Sequence, residues 1–320
     1  MPLMLPDGRR LGAHLPLAAG MVKAVDRAHE IGATALQVFS DNPTAWRRRA
    51  EPPSELEAFR ARLVEYDIAP VSIHASYLVN LAGPDPDLFG RSVELLAHEL
   101  RVAPTFGARY VNVHIGSHRE TGLETGIRRV AEGVAMALTQ IDDVPGRATL
   151  VLENSSGSGY GFGATGEELA AIAAALAAAG VPRDRVGFCL DTAHAWGAGI
   201  DVGAPAAIDA FLARFDATIG LDRLPLVHFN DSRAEFGSRT DRHEHIGAGR
   251  IGTAGLAHLL THPRLDGATY VLETPGMDEG FDAVNLTRAL DLAAGRPLGP
   301  LPPGALEIRT TDRARSAPPA

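Results

Sequence analysis

The chain has 320 residues, 45% of them hydrophobic and 22% charged, with a formal net charge of −9. These values suit one large α/β domain with a sizeable core; no apolar run nears the roughly 20 residues a membrane-spanning helix needs, and the acidic balance excludes nucleic-acid binding through a bulk positive field. Cys189 is the only cysteine and Lys23 the only lysine, which excludes internal disulfides, zinc sites built on several thiolates, and a Schiff-base lysine on a strand.

The first residues, MPLMLPDGRR, carry an early Pro and Asp and no apolar segment, so they do not read as a secretory signal and a cytoplasmic location is expected. Short β-rich runs then alternate with longer helical patterns. Strands are predicted at 11–15, 35–39, 71–75, 110–115, 149–154, 186–192, 224–231 and 269–275, with helices such as 55–66, 88–106, 167–179 and 204–215 between them. Eight such units predict a closed α/β structure, the TIM (β/α)8 barrel, whose chemistry lies at the C-terminal ends of its strands. One barrel domain is expected over 1–296. Residues 297–320 are Pro-rich without sustained apolar periodicity, which predicts a disordered tail.

The predicted strand ends carry an unusual set of side chains. His74 ends the third strand, His114 lies near the end of the fourth, Glu153 of the fifth and Asp191 of the sixth. His194 follows in the next loop, His228 sits late in the seventh strand, Asp241 and His243 lie in the loop after it, and Glu273 is late in the eighth. A lone histidine in an apolar strand such as VSIHA is more often a hydrogen-bonded core residue than a ligand. Taken jointly, carboxylates gathered in one barrel mouth repel each other unless cations intervene. Imidazole and carboxylate without thiolate suit zinc, with manganese or iron as substitutes. Nine candidate ligands exceed the four that one zinc usually takes, and three divalent ions leave four carboxylates with a local charge of about +2. Such a site on an acidic chain attracts phosphate.

The motifs HASYL, VNVHIGSH, VLENSSGSG, GFCLDTAHAWGAGID, VHFNDS, GSRTDRHEHIGAGRIG and VLETP together resemble those of the endonuclease IV family, in the same order, from Leu11 to about Leu290. The resemblance implies that His74, His114 and Glu153 hold one zinc, that Glu153 bridges to a second held with Asp191, His228 and Glu273, and that His194, Asp241 and His243 hold a third. It further implies hydrolysis 5′ to an abasic deoxyribose in duplex DNA, leaving a 3′-hydroxyl and a 5′-deoxyribose phosphate, with trimming of blocked 3′ ends. Metal ions can activate water and stabilise the leaving oxygen, so no protein nucleophile is required. Glu153 and Glu273 are the catalytic candidates, Glu273 chiefly as a ligand but also able to orient or deprotonate water.

Damage recognition in this family uses the loops after the second and third strands. Candidate DNA contacts are Trp46, Arg47, Tyr77 and Leu78, with Arg233 and Arg242 around the ligand-bearing loop after the seventh strand. Arginine runs are otherwise ordinary solvated surface; Arg48 shares this expectation. Thr44 and Ala45 stand where relatives often have arginine and glutamine, Ile115 where proline is usual. His14, His118 and His245 are candidates for supporting the ligands, His245 equally for facing solvent. The run Gly157-Ser158-Gly159-Tyr160-Gly161 lacks the spacing of a dinucleotide fingerprint and reads as a loop. No membrane and no obligate protein partner are expected. Two rival readings share the pattern: a metal-dependent sugar isomerase or epimerase, disfavoured by nine ligands and a misplaced lone lysine, and an idle zinc-dependent binder of damaged DNA.

Overall fold

The computed structural model of the chain describes residues 5, 7–49, 51–277 and 279–307. Strands β1 (Leu11–His14), β2 (Ala35–Val38), β3 (Val71–His74), β4 (Ala108–His114), β5 (Thr149–Glu153), β6 (Val186–Asp191), β7 (Leu226–His228) and β10 (Thr269–Leu272) are all parallel. They close into a barrel because β1 bonds to β2 on one side and to β10 on the other. A two-stranded antiparallel ribbon, β8 (Asp231–Ser232) with β9 (His243–Glu244), stands over the mouth between β7 and β10. The predicted TIM barrel is therefore observed, with each ladder ending earlier than the sequence suggests. The seventh strand shortens most: Pro225 has no N–H to give, and Asp231 pairs with Glu244 instead of extending β7.

Strands buried on both faces need apolar residues at nearly every position, as TLVLE and TYVL supply. Side chains alternate between faces. Outward residues such as Val113, Leu152, Phe188, Val227 and Leu272 join the main core beneath the helices. Tyr110, Val151, Cys189, Leu226 and Val271 form a separate apolar cluster, and two residues further along the same faces stand Asn112, Glu153, Asp191, His228 and Glu273. The apolar plug is thus a floor for the polar mouth.

The outer ring consists of α1 (Met21–Glu30), α2 (Leu56–Glu65), α3 (Pro86–Val102), α4 (Leu123–Thr139), α5 (Gly166–Ala178), α7 (Pro205–Thr218), α8 (Thr253–Thr261) and α9 (Asp282–Ala293). Local chemistry starts them: Asp85 caps α3, its carboxylate accepting the N–H groups of Asp87 and Leu88, Thr165 caps α5, and Pro205 opens α7. No helix among the described residues is long and apolar enough to cross a membrane. Of the segment from 297 onward, Leu298 packs against the core and Ala305 is buried; 308–320 lie outside the described residues.

Phe188 couples the barrel to its ring. It is fully buried, 5.9 Å from Phe215 of α7 edge to face, with Arg223 stacked 5.2 Å from its centroid. Phe188→Ala is expected to cost about 3–5 kcal/mol, read as a lowered denaturation midpoint with the barrel's far-UV spectrum retained. A loss below about 1 kcal/mol would contradict this packing.

Candidate metal centre

Strand ends and one short helix carry the candidate ligands. Asp191 closes β6 and caps α6 (Thr192–Ala198), its carboxylate accepting the N–H of His194 at 2.7 Å. His194, expected in a loop, therefore lies on a helix. Asp241 and His243 arrive on the ribbon after β7, which is fixed by Asp231. That buried carboxylate accepts N–H groups of Ser232 at 2.8 Å, Gly249 at 2.9 Å and Ile251 at 3.2 Å. Burial pushes the Asp231 carboxyl up, and the backbone donors act against this shift. A Cβ at Gly249 would fall 2.4 Å from Asp231 Oδ1 and 2.5 Å from the Ser232 carbonyl oxygen, so this crossing requires glycine.

The structure brings the nine expected residues together in overlapping groups. His74 and His114 each place Nε2 3.5 Å from Glu153 Oε2. His228 Nδ1 faces Glu153 Oε1 at 3.5 Å, Glu273 Oε2 at 3.3 Å and Asp191 Oδ2 at 4.0 Å. Asp241 lies 2.8 Å from His194 Nε2 and 3.1 Å from His243 Nε2, and His243 Nε2 is 3.6 Å from Asp191 Oδ2. Asp191 thus adjoins both the second and third groups.

Two buried atoms, Glu153 Oε1 and His228 Nδ1, make no hydrogen bond among the described residues. Such atoms are rare in a folded interior unless an ion or water serves them. The donors are oxygens and imidazole nitrogens around shared spaces, which fits divalent ions. Cys189 below is no competitor: burial pushes its thiol up to about 11.

The ion-free electrostatics show how tightly the charges are balanced. Burial opposes protonation of His194 and His228, but the adjoining carboxylates outweigh it and raise both well above the ordinary value. Burial likewise opposes ionisation of Glu153 and Asp241, yet the surrounding imidazoles hold both carboxyls well below theirs.

Residues that the sequence reading did not single out orient the ligands. Asn112 donates to Glu153 Oε2 at 2.6 Å, and Asn230 to Asp191 Oδ2 at 2.7 Å. Gln37 donates to Glu273 Oε1 at 2.6 Å. Asn112 could have been suspected from strand alternation, two residues before His114; Gln37 only as a lone amide in the apolar run ALQVF. His14 joins this group, 3.1 Å from Gln37 Nε2. His118 and His245 do not. His118 accepts the Gly122 N–H in its own loop. His245 is fully buried, neither supporting the ligands nor facing solvent, and is held between Asn285 and the Ala305 carbonyl.

At the rim, Tyr77 is exposed, its ring centroid 5.6 Å from that of His74 and 5.9 Å from that of His114. Leu78 is half-buried against the core. Trp46 packs under Arg91 at 4.0 Å, and Arg47 is exposed. Arg48 turns inward, 3.9 Å from buried Glu99. Arg233 and Arg242 donate to the carbonyl oxygens of His243 and Asp241, bracing the ribbon. Ile115 is buried where a Cβ on Gly163 would lie 2.3 Å from its Cδ1.

Asp209, His258 and His262 form a further group on the outer ring. Asp209 Oδ1 lies 2.7 Å from His258 Nε2 and 3.1 Å from His262 Nε2. His262 Nδ1 accepts the Arg264 N–H at 3.2 Å, so a neutral ring carries its hydrogen on Nε2 and gives it to Asp209. This is a hydrogen-bonded clamp between α7 and the end of α8.

A family model described as a xylose isomerase-like TIM barrel matches residues 25–294. The chain is similar to a probable endonuclease 4 of Thermosipho melanesiensis, 36% identical over 272 residues, which cover 84% of this chain and 93% of that one. The crystal structure of endonuclease IV from Thermus thermophilus matches with a TM-score of 0.76 at 40% identity, covering 89% of this chain and 99% of that chain. An L-ribulose 3-epimerase structure matches with a TM-score of 0.62 at 14% identity, over 96% and 98% of the two chains, a likeness of fold alone.

Protons and metal compete for the same nitrogens. Burial lowers His243, but Asp241 and Asp191 prevail and raise it from 6.5 to about 9. A raised pKa means that the charged ring stabilises the ion-free fold fully below about 6.5, and that this contribution is lost as pH rises through about 9. Ion-free protein is expected to lose melting temperature across that window, while zinc uptake strengthens and releases protons, as titration calorimetry in buffers of different ionisation enthalpy can measure. Uptake independent of pH would contradict this balance.

Proposed function

Because the chain belongs to the endonuclease IV family of xylose isomerase-like TIM barrels, we propose that it hydrolyses the phosphodiester bond 5′ to abasic sites in duplex DNA with three zinc ions. It leaves a 3′-hydroxyl and a 5′-deoxyribose phosphate and also trims blocked 3′ ends. The observation that carries this reading is the convergence of nine acidic and imidazole side chains on one barrel mouth. His74, His114 and Glu153 would hold one ion, Glu153, Asp191, His228 and Glu273 a second, and His194, Asp241 and His243 a third.

Bound divalent ions supply activated water at neutral pH and offset charge on the phosphoryl and leaving oxygens. The chain's own groups hold this arrangement still. His74, His194 and His243 tie Nδ1 to the carbonyl oxygens of Ala75, Asn154 and Glu273 at 2.8, 2.9 and 2.8 Å, leaving Nε2 for the centre. Asn112 and Asn230 fix the carboxylates of Glu153 and Asp191. Tyr77 at the lip suits stacking on bases beside an abasic gap, with Leu78 behind it. Arg47 suits phosphate contact, while Trp46, clamped by Arg91, anchors the loop that carries it.

Purified protein is expected to contain about three equivalents of divalent metal, chiefly zinc, and to incise an abasic duplex without added magnesium. Active protein with one ion or fewer would sink the three-ion assignment. Glu153→Ala removes the shared carboxylate and should lower kcat on the order of 10³-fold; near-normal turnover would mean that Glu153 is not central. Hydrolysis predicts no protein–DNA adduct on borohydride treatment.

Recognition is tested separately at the loop after β2. Thr44 and Ala45 have short side chains, and Thr44 Oγ1 is engaged with Asn42 at 2.9 Å. Thr44→Arg with Ala45→Gln is expected to raise kcat/KM on abasic duplex roughly tenfold, and Tyr77→Ala to lower it, both at fixed salt. No gain from the first and no loss from the second would assign recognition to other residues.

A further inference from the structure

Gln37 on β2 is fully buried inside the barrel, and both ends of its amide are engaged twice. Its Nε2 meets Glu273 Oε1 at 2.6 Å and His14 Nδ1 at 3.1 Å. Its Oε1 meets His228 Nε2 at 3.0 Å and Ser72 Oγ at 3.2 Å. These neighbours decide which way the amide points. An ionised carboxylate only accepts hydrogen bonds, so the NH2 group faces Glu273. The carbonyl oxygen then faces His228, and Nε2 of that ring carries a hydrogen.

This sets His228 apart from its neighbours. His74, His194 and His243 are tied through Nδ1 to rigid backbone carbonyls and present Nε2. His228 is held the other way round, by a side chain at Nε2, with Nδ1 turned to Glu153 and Glu273. We propose that Gln37 is a positioning residue that commits His228 to bind its ion through Nδ1 while holding Glu273 Oε1, so that Oε2 turns to the same ion. The inference rests on the nuclease reading only in placing a divalent ion among Glu153, Asp191, His228 and Glu273. A neutral amide performs both tasks at once. A glutamate there would set a second carboxylate against Glu273, and an apolar side chain would leave His228 Nε2–H buried without this acceptor, free to move its hydrogen to Nδ1.

The test needs no DNA. In zinc-loaded wild-type protein labelled with 15N-histidine, the long-range 15N–1H spectrum should show His228, identified by its loss in His228→Asn, protonated at Nε2 with Nδ1 as the ligating nitrogen. Protonation at Nδ1, or no ion at His228, overturns the proposal without any Gln37 variant. Gln37→Met, similar in volume, should weaken retention of one zinc by about 10–100-fold in competition with a chelator of known affinity, leaving the other two equivalents in place. Retention equal to wild type overturns the proposal. Gln37→Glu keeps an acceptor and should preserve the Nε2–H signal of His228; loss of that signal in a folded, zinc-loaded variant counts against it. Wild-type protein with the expected spectrum and three ions, yet no incision of abasic duplex, would refute the nuclease reading and leave the role of Gln37 standing.

Discussion

Four carboxylates held in one barrel mouth are the constraint on which the rest of the site depends. Glu153, Asp191 and Asp241 are buried, and Glu273 is nearly so. Charges so placed are costly unless countered at short range. In the ion-free chain the imidazoles supply the counter-charge by keeping protons, as the raised values of His194, His228 and His243 express. The same nitrogens are the atoms that a divalent ion would take. A mouth that must be balanced by positive charge also reconciles a net charge of −9 with the phosphodiester substrate proposed for it: the attraction would be local, and the acidic surface would not provide it.

Geometry at the mouth is inherited from the barrel in tiers. The apolar floor of Tyr110, Val151, Cys189, Leu226 and Val271 excludes water from below. Above it lie Gln37, Ser72 and Asn112, all buried; Gln37 and Asn112 hydrogen-bond to the candidate ligands, and Ser72 donates to Gln37. Backbone carbonyls orient three of the rings. Few ligand atoms are then left to choose their own rotamers, the preorganisation that a metal site needs before its ions arrive.

The rim loops are anchored rather than loose. Arg48 and Ser40 both reach Glu99 of α3, whose carboxyl burial pushes up despite these partners. Trp46 is pressed against the same helix by Arg91. The loop after β2 is thereby bound to α3 by its own arginine and tryptophan, and Arg47 is left exposed. On the opposite side, Asp231 does for the ribbon what Glu99 does for this loop, through backbone N–H groups instead of side chains.

Much of this was legible in the sequence. Apolar runs of strand length ending in His, Glu or Asp placed six of the nine residues on one rim, with His194, Asp241 and His243 in the loops that follow, because strand periodicity and barrel topology leave polar side chains little else to do there. The assignment of atoms was not legible. His228 and its neighbours look alike in sequence, yet Nδ1 faces the centre in one ring and Nε2 in the others. The partner that decides this, Gln37, is separated from His14, His228 and Glu273 by 23, 191 and 236 positions. Arg48 looked like one more surface arginine, and His245 like a neighbour of the ligands, until packing turned each of them elsewhere. Local pattern determines which residues a strand can present. Only closure of the barrel brings β1, β2, β7 and β10 within hydrogen-bonding reach, and that reach decides which atom of each side chain remains for chemistry.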